Sequence, residues 1–233
     1  MLSTLNTSRS AGAAASWLRS TRPAELFLEL PPACEDYLRE AEPGALELMV
    51  EDGLLTPEEA QGIKLAPLLS TARELGCRVH CYLDPLHQLA RREFVQELVL
   101  LSLRAKVSGR IRVQEWRRAA ERLIEAEEKA SRREAEYILR RCSGRSACTN
   151  LSESACRVLE SLGFRVRRHV LAEASRPVDL LLRAVRLERR SGRLRDEELE
   201  SCVKAHLRFL EMVEELGYEE AVLRLSSQPD ASA

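Results

Sequence analysis

The chain is 233 residues long, with 36 basic and 37 acidic side chains, 45% hydrophobic and 31% charged residues, and a formal charge of −1. That balance belongs to a folded globular protein, excludes a wholly disordered chain, and removes any global electrostatic pull towards nucleic acid or an anionic membrane. Aromatic residues make up 4%, too few to favour a base- or sugar-stacking surface.

Residues 1–6 read as a short strand, and a helix follows from about Ala11 to Ser20, broken by Arg22-Pro23. Glu25 to Leu30 is a compact apolar strand closed by Pro31-Pro32, so a parallel crossover is expected. Helices are predicted over Ala33–Glu42 and Ala45–Asp52. Thr56-Pro57-Glu58-Glu59 opens another, with Thr as N-cap and Pro at the first position. It runs towards Leu75 with a disturbance at Pro67, and Gly76 ends it before a strand over Arg78–Leu83. From His87 to Arg141 the pattern is helical, interrupted near Ser108-Gly109. Ser143 to Ser146 reads as a loop, Leu151–Leu162 as an amphipathic helix and Phe164–Leu171 as a strand. An apolar run over Val178–Val185 and one or two helices over Asp196–Leu225, split near Gly217, complete the pattern.

The fold class expected is α/β: a mixed, mostly parallel sheet flanked by helices, with a long charged helical insertion and a helical C-terminal tail. The organisation expected is an α/β half over 1–107, a charged helical arm over 108–142, a second α/β-plus-helix half over 143–225 and a disordered tail over 226–233. Seven cysteines at irregular spacing, with Cys77, Val79 and Cys81 on one strand face, favour free thiols in a cytoplasmic chain over a disulfide framework or zinc site. The apolar runs Glu47–Leu55 and Leu98–Leu103 are too short to span a bilayer, so no membrane partner is expected. No nucleophile elbow, Walker loop, dinucleotide fingerprint or His-Glu-x-x-His motif occurs.

Ligands of open α/β sheets gather outside the carboxyl ends of the strands, which here read Ser3-Thr-Leu-Asn6, Glu29-Leu30-Pro31-Pro32 and Leu83-Asp84. With Arg22-Pro23, Tyr37-Leu38, Gly62, the run Ala72 to Gly76, and Arg91 and Arg92, this order over about residues 2–92 resembles the TraB/PrgY family. That family belongs to a wider group with the Tiki proteases and the ChaN-like and erythromycin-esterase-like proteins. The resemblance implies a divalent-metal site built from two Gly-x-x-His segments and a Glu. In this chain the corresponding positions read Asn6 and Asn150 in place of the two His, Lys64 in place of the Glu of Gly-x-Glu-Met, and Pro85 in place of the Arg after the aspartate. Glu29 and Asp84 remain. Amide oxygens bind first-row metals more weakly than imidazole, and a Lys cation opposes any metal.

The expectation is therefore a non-catalytic binding or regulatory protein without a cofactor, with Asn6, Lys64 and Asn150 marking a vestigial site. Its surfaces for a protein partner or for self-association, including as a homodimer, would be helices 110–141 and 196–217. One alternative is a metal-dependent, peptidase-like hydrolase using Glu29 and Asp84. Another comes from the segment Leu162 to Val170 followed by Pro177-Val-Asp179-Leu-Leu-Leu182, which is similar to the core of restriction-endonuclease-like nucleases. That resemblance implies a magnesium-binding Asp179 placed before a strand, and Arg165, Arg167 and Arg168 would meet phosphate. The Glu-x-Lys of such nucleases is absent, Leu187-Glu188-Arg189-Arg190 being the nearby candidate.

Overall fold

The computed structural model describes residues 2–3, 7–40, 44–171, 175–192 and 195–227. Most of these are helical, and the strands are short and parallel. The chain divides into two compact units, each drawn from two stretches of sequence: Met1–Gln88 with Glu128–Ala172, and Leu89–Glu127 with Glu173–Ala233.

The first unit opens with β1 (Leu2–Ser3), α1 (Ser8–Thr21) and β2 (Glu25–Leu28). Thr7 caps α1 by accepting the amide of Ser10 at 3.2 Å, and the helix ends at Arg22 in the left-handed region, φ +45°. An L side chain is strained there, whereas glycine is not. Arg22→Gly is expected to raise the unfolding free energy by about 0.5–1 kcal/mol in urea titration. After β2 come a 3-10 turn (Pro32–Cys34) and α2 (Glu35–Glu40), α3 (Ala45–Glu51), α4 (Pro57–Gly62) and α5 (Ala66–Glu74). The cap expected at Thr56 is a reciprocal pair: its hydroxyl accepts the Glu59 amide at 3.2 Å, and its own amide donates to the Glu59 carboxylate at 2.8 Å. The disturbance expected at Pro67 is a full break over residues 63–65, which separates α4 from α5.

β3 (Arg78–Cys81) and β4 (Ser146–Cys148) flank β2 in a parallel three-stranded sheet, order β3-β2-β4. The register aligns Glu25 with Arg78 and Ser146, and Phe27 with His80 and Cys148. On one face Leu26, Leu28, Cys81 and Ala147 pack against Ala14 and Leu18 of α1 and Leu68 and Ala72 of α5. On the other, Phe27 and Cys148 meet Ala135 and Ile138, which come from the last turns of α7 (Val113–Arg141), and Cys156 and Leu159 from α8 (Glu153–Ser161). All four residues of β2 are buried, as a central parallel strand covered on both faces must be.

Two expectations for this unit need correction. The segment read as a loop ends on the first residue of β4 (Ser146–Cys148), a strand that was not expected because it is too short and too poor in β-branched residues to announce itself. Conversely, of the strand expected over Phe164–Leu171 only β5 (His169–Val170) pairs, in parallel with β1. The alternation itself is real, since Phe164 and Val166 pack on the core while Arg165, Arg167 and Arg168 are exposed. Alternation reports which face is covered; a ladder also needs a neighbouring backbone.

The second unit is helical. It comprises α6 (Pro85–Ser108) from Leu89 onward, α7 as far as Glu127, α9 (Pro177–Ser191), α10 (Asp196–Leu216) and α11 (Tyr218–Ser227). Trp116, 1% exposed, sits among Phe94, Leu98, Ala120, Ile124, Leu181 and Val203. The apolar run Val178–Val185 lies inside α9, with Leu181 and Val185 on its buried side. Pro177 occupies the first position and Asp179 accepts the Arg176 amide at 3.2 Å, which together start the helix. Charges of α7 and α10 pair along each helix, as Arg132 with Glu136 and Lys204 with Glu200, and also knit helices together. Arg117 bridges to Glu188 at 3.4 Å and Asp196 at 2.8 Å, and Arg186 bridges to Glu127 at 2.6 Å. The apolar sides of both helices are spent on this unit's own core and the first unit's.

Among the described residues no helix is long and apolar enough to cross a membrane. Each of the seven cysteines is a free thiol. Residues 228–233, most of the tail expected to be disordered, lie outside the described residues.

Candidate functional site

Parallel strands end together, so the register brings the residues after β2, β3 and β4 to one end of the sheet. Glu29 follows β2 directly and is half-buried; its amide donates to the Thr149 hydroxyl at 3.2 Å. Thr149 in turn donates its amide to the Phe27 carbonyl at 2.9 Å, and its own carbonyl accepts the Tyr82 hydroxyl at 2.6 Å. These bonds fasten the chain leaving β4 to that leaving β2 and β3. Asn150 comes next, at φ +51°. Asn tolerates this left-handed backbone better than other L residues, so its identity has a local conformational cause.

Asp84, three residues beyond β3, starts α6. Its Oδ1 accepts the amides of Leu86 at 3.0 Å and His87 at 3.3 Å. The guanidinium of Arg133, from α7, donates to Oδ2 at 2.6 Å and to Oδ1 at 3.1 Å. The Arg133 contact and these amides hold the Asp84 carboxyl below its usual range despite partial burial. The neighbouring Glu134, 2% exposed, accepts from the Asp84 amide at 3.2 Å and faces His87 Nδ1 at 2.8 Å. The His87 ring therefore pairs with Glu134, while Asp84 receives only the His87 backbone amide.

Of the other predicted positions, Lys64 is exposed in the break between α4 and α5. Asn6 lies outside the described residues. Among the described residues, no group of three or more His, Cys, Asp and Glu side chains is placed to hold a metal ion. Arg165, Arg167 and Arg168 are exposed in an irregular segment. Asp179 sits in the first turn of α9, bonded to Arg176 at 2.8 Å and 2.9 Å, rather than ahead of a strand. Glu188, Arg189 and Arg190 continue the same helix, so the strand pair of a restriction-endonuclease-like core is replaced by one helix.

Two buried carboxylates escaped the sequence reading. Glu25, fully buried at the start of β2, accepts from Arg78, Ser143 and Ser146. Burial opposes its charge, but these donors outweigh it and the carboxyl is held low. Glu35 accepts the Cys81 amide at 3.0 Å on the open edge of β3 and also the Tyr137 hydroxyl. Burial and Glu35 raise the Tyr137 phenol, and burial lowers His80, whose ring stacks on Phe27 with centroids 5.0 Å apart. Nothing local in the sequence signals either cluster, because their members come from strands and helices 46 to 121 residues apart. Burial also pushes the thiols of Cys77, to about 11, and of Cys81, Cys148, Cys156 and Cys202 upward. That disfavours the thiolate a nucleophile or metal ligand requires. Comparison with protein-family models, with curated proteins and with solved structures found no match.

Proposed function

We propose that this chain is a non-catalytic binding or regulatory protein of the cytoplasm, a TraB-like domain whose strand-end residues hold the fold instead of a metal. The observation that carries the reading is the engagement of Asp84: both oxygens are taken up by the start of α6 and by Arg133. Asn150 at its left-handed position and the exposed cation of Lys64 agree with it. The remaining donors, a half-buried Glu29 and amide oxygens, do not fit a transition-metal site, which favours imidazole or thiolate.

The alternative, a metal-dependent hydrolase using Glu29 and Asp84, is separated by metal analysis and thermal unfolding with manganese, cobalt, zinc and magnesium. A specific ligand at a hundred times its dissociation constant adds about 2.7 kcal/mol, which for a chain of this length is a rise of about 5–10 °C. The expected result is no metal-specific rise in the midpoint. A rise abolished by Glu29→Ala would overturn the non-catalytic reading.

A further inference from the structure

Helix α6 is apolar on two opposite sides. Phe94, Leu98, Leu101 and Ala105 face the core of the second unit, all less than 8% exposed. On the other side Leu89, Val99, Leu100, Leu103 and Val107 recur at helical spacing, yet are 50%, 53%, 55%, 54% and 89% exposed. The stripe extends about 27 Å along the helix, interrupted by Arg92 and Gln96 between Leu89 and Val99, and displays on the order of 500 Å² of apolar surface, near the upper limit for a monomer's largest patch.

We propose that this stripe is a homodimer interface, with α6 packed antiparallel on α6 of a second copy about a two-fold axis beside Val99. Area and charge favour that occupant. Two such stripes buried together total roughly 1,000 Å², the threshold of a specific interface. One margin of the stripe carries Glu93 and Glu97 in its N-terminal half and Arg104 in its C-terminal half; within the chain Glu97 pairs with Arg122, and Arg104, 67% exposed, lies 3.6 Å from Glu115. Antiparallel pairing sets Glu93 against Arg104 of the partner subunit, twice by symmetry. On the opposite margin Lys106 is already tied to Glu214 at 2.9 Å. The inference is independent of the strand-end reading, since every residue in it belongs to the second unit.

Sedimentation equilibrium over a wide concentration range tests it. The full chain is expected at twice its 26.3 kDa. The double variant Leu100→Glu, Leu103→Glu is expected to weaken the dimer at least about 100-fold with an unchanged far-UV spectrum, both positions being surface-exposed. Glu93→Arg should weaken it too, and adding Arg104→Glu should restore it. A wild-type chain that stays monomeric, or a dimer indifferent to the Leu100 and Leu103 changes, overturns the proposal. So does monomer binding to phosphatidylserine vesicles that the Leu variants abolish, which would assign the stripe to a lipid surface.

Discussion

Glu25→Ala is expected to lower the unfolding free energy by about 2–3 kcal/mol at pH 7, read from urea or guanidinium titration. The wild-type carboxylate is fully enclosed at the start of β2, where it accepts the Ser146 hydroxyl at 2.6 Å, the Ser143 amide at 3.3 Å, the Ser143 hydroxyl and the Arg78 guanidinium. Removing it deprives those donors of a charged acceptor and leaves a void beside the sheet. Arg78 is 61% exposed and falls back on solvent, so the loss is concentrated on the serines and on the loop between α7 and β4. The pH dependence has a fixed sign. The folded-state carboxyl titrates below its ordinary value of 4.5, so its contribution is complete above pH 4.5 and disappears as pH falls through the folded-state value. The gap between wild type and Glu25→Ala should accordingly be constant near neutrality and narrow on acidification below 4.5.

Glu25 also marks the limit of what this sequence discloses. The helix boundaries were legible because the signals are local. Thr56 with Glu59 starts α4, Arg22-Pro23 stops α1, and Gly76 and Gly217 sit where helices end. The parallel sense of the strands was legible from their alternation with helices, but the crossover expected between the first two strands does not put them in one sheet: β1 pairs with β5, and β2 with β3 and β4. What stayed hidden depends on distant residues. β4 is three residues of Ser, Ala and Cys whose strand character comes from β2 alongside. Helix α7 reads as one continuous amphipathic pattern, and nothing in that pattern marks that its first half lines a helical core while its last turns cover a sheet. The same holds at the strand ends. The positions of Glu29, Asp84 and Asn150 follow from strand order, but the partners that decide Asp84's role, Arg133 and Glu134, arrive from 49 and 50 residues away. The α6 stripe was visible only as an apolar run too short for a membrane; its opposite buried face emerges once Trp116, Leu181 and Val203 close around Leu98.

The second large effect concerns Asp84 and bears on whether the strand ends serve the fold or chemistry. As a helix cap it contributes about 1 kcal/mol, and its two-point contact with Arg133 adds about 0.5–1 kcal/mol at a half-exposed guanidinium. Asp84→Ala should therefore cost about 2 kcal/mol, while Arg133→Ala costs less because the cap survives. The most direct measurement is the unfolding free energy of Asp84→Ala, Arg133→Ala and the double variant at pH 7. A structural Asp84 yields a destabilised single variant and a coupling of about 0.5–1 kcal/mol between the two sites. An Asp84→Ala protein as stable as wild type or more stable, the behaviour of a carboxylate kept for function at the fold's expense, would contradict the account.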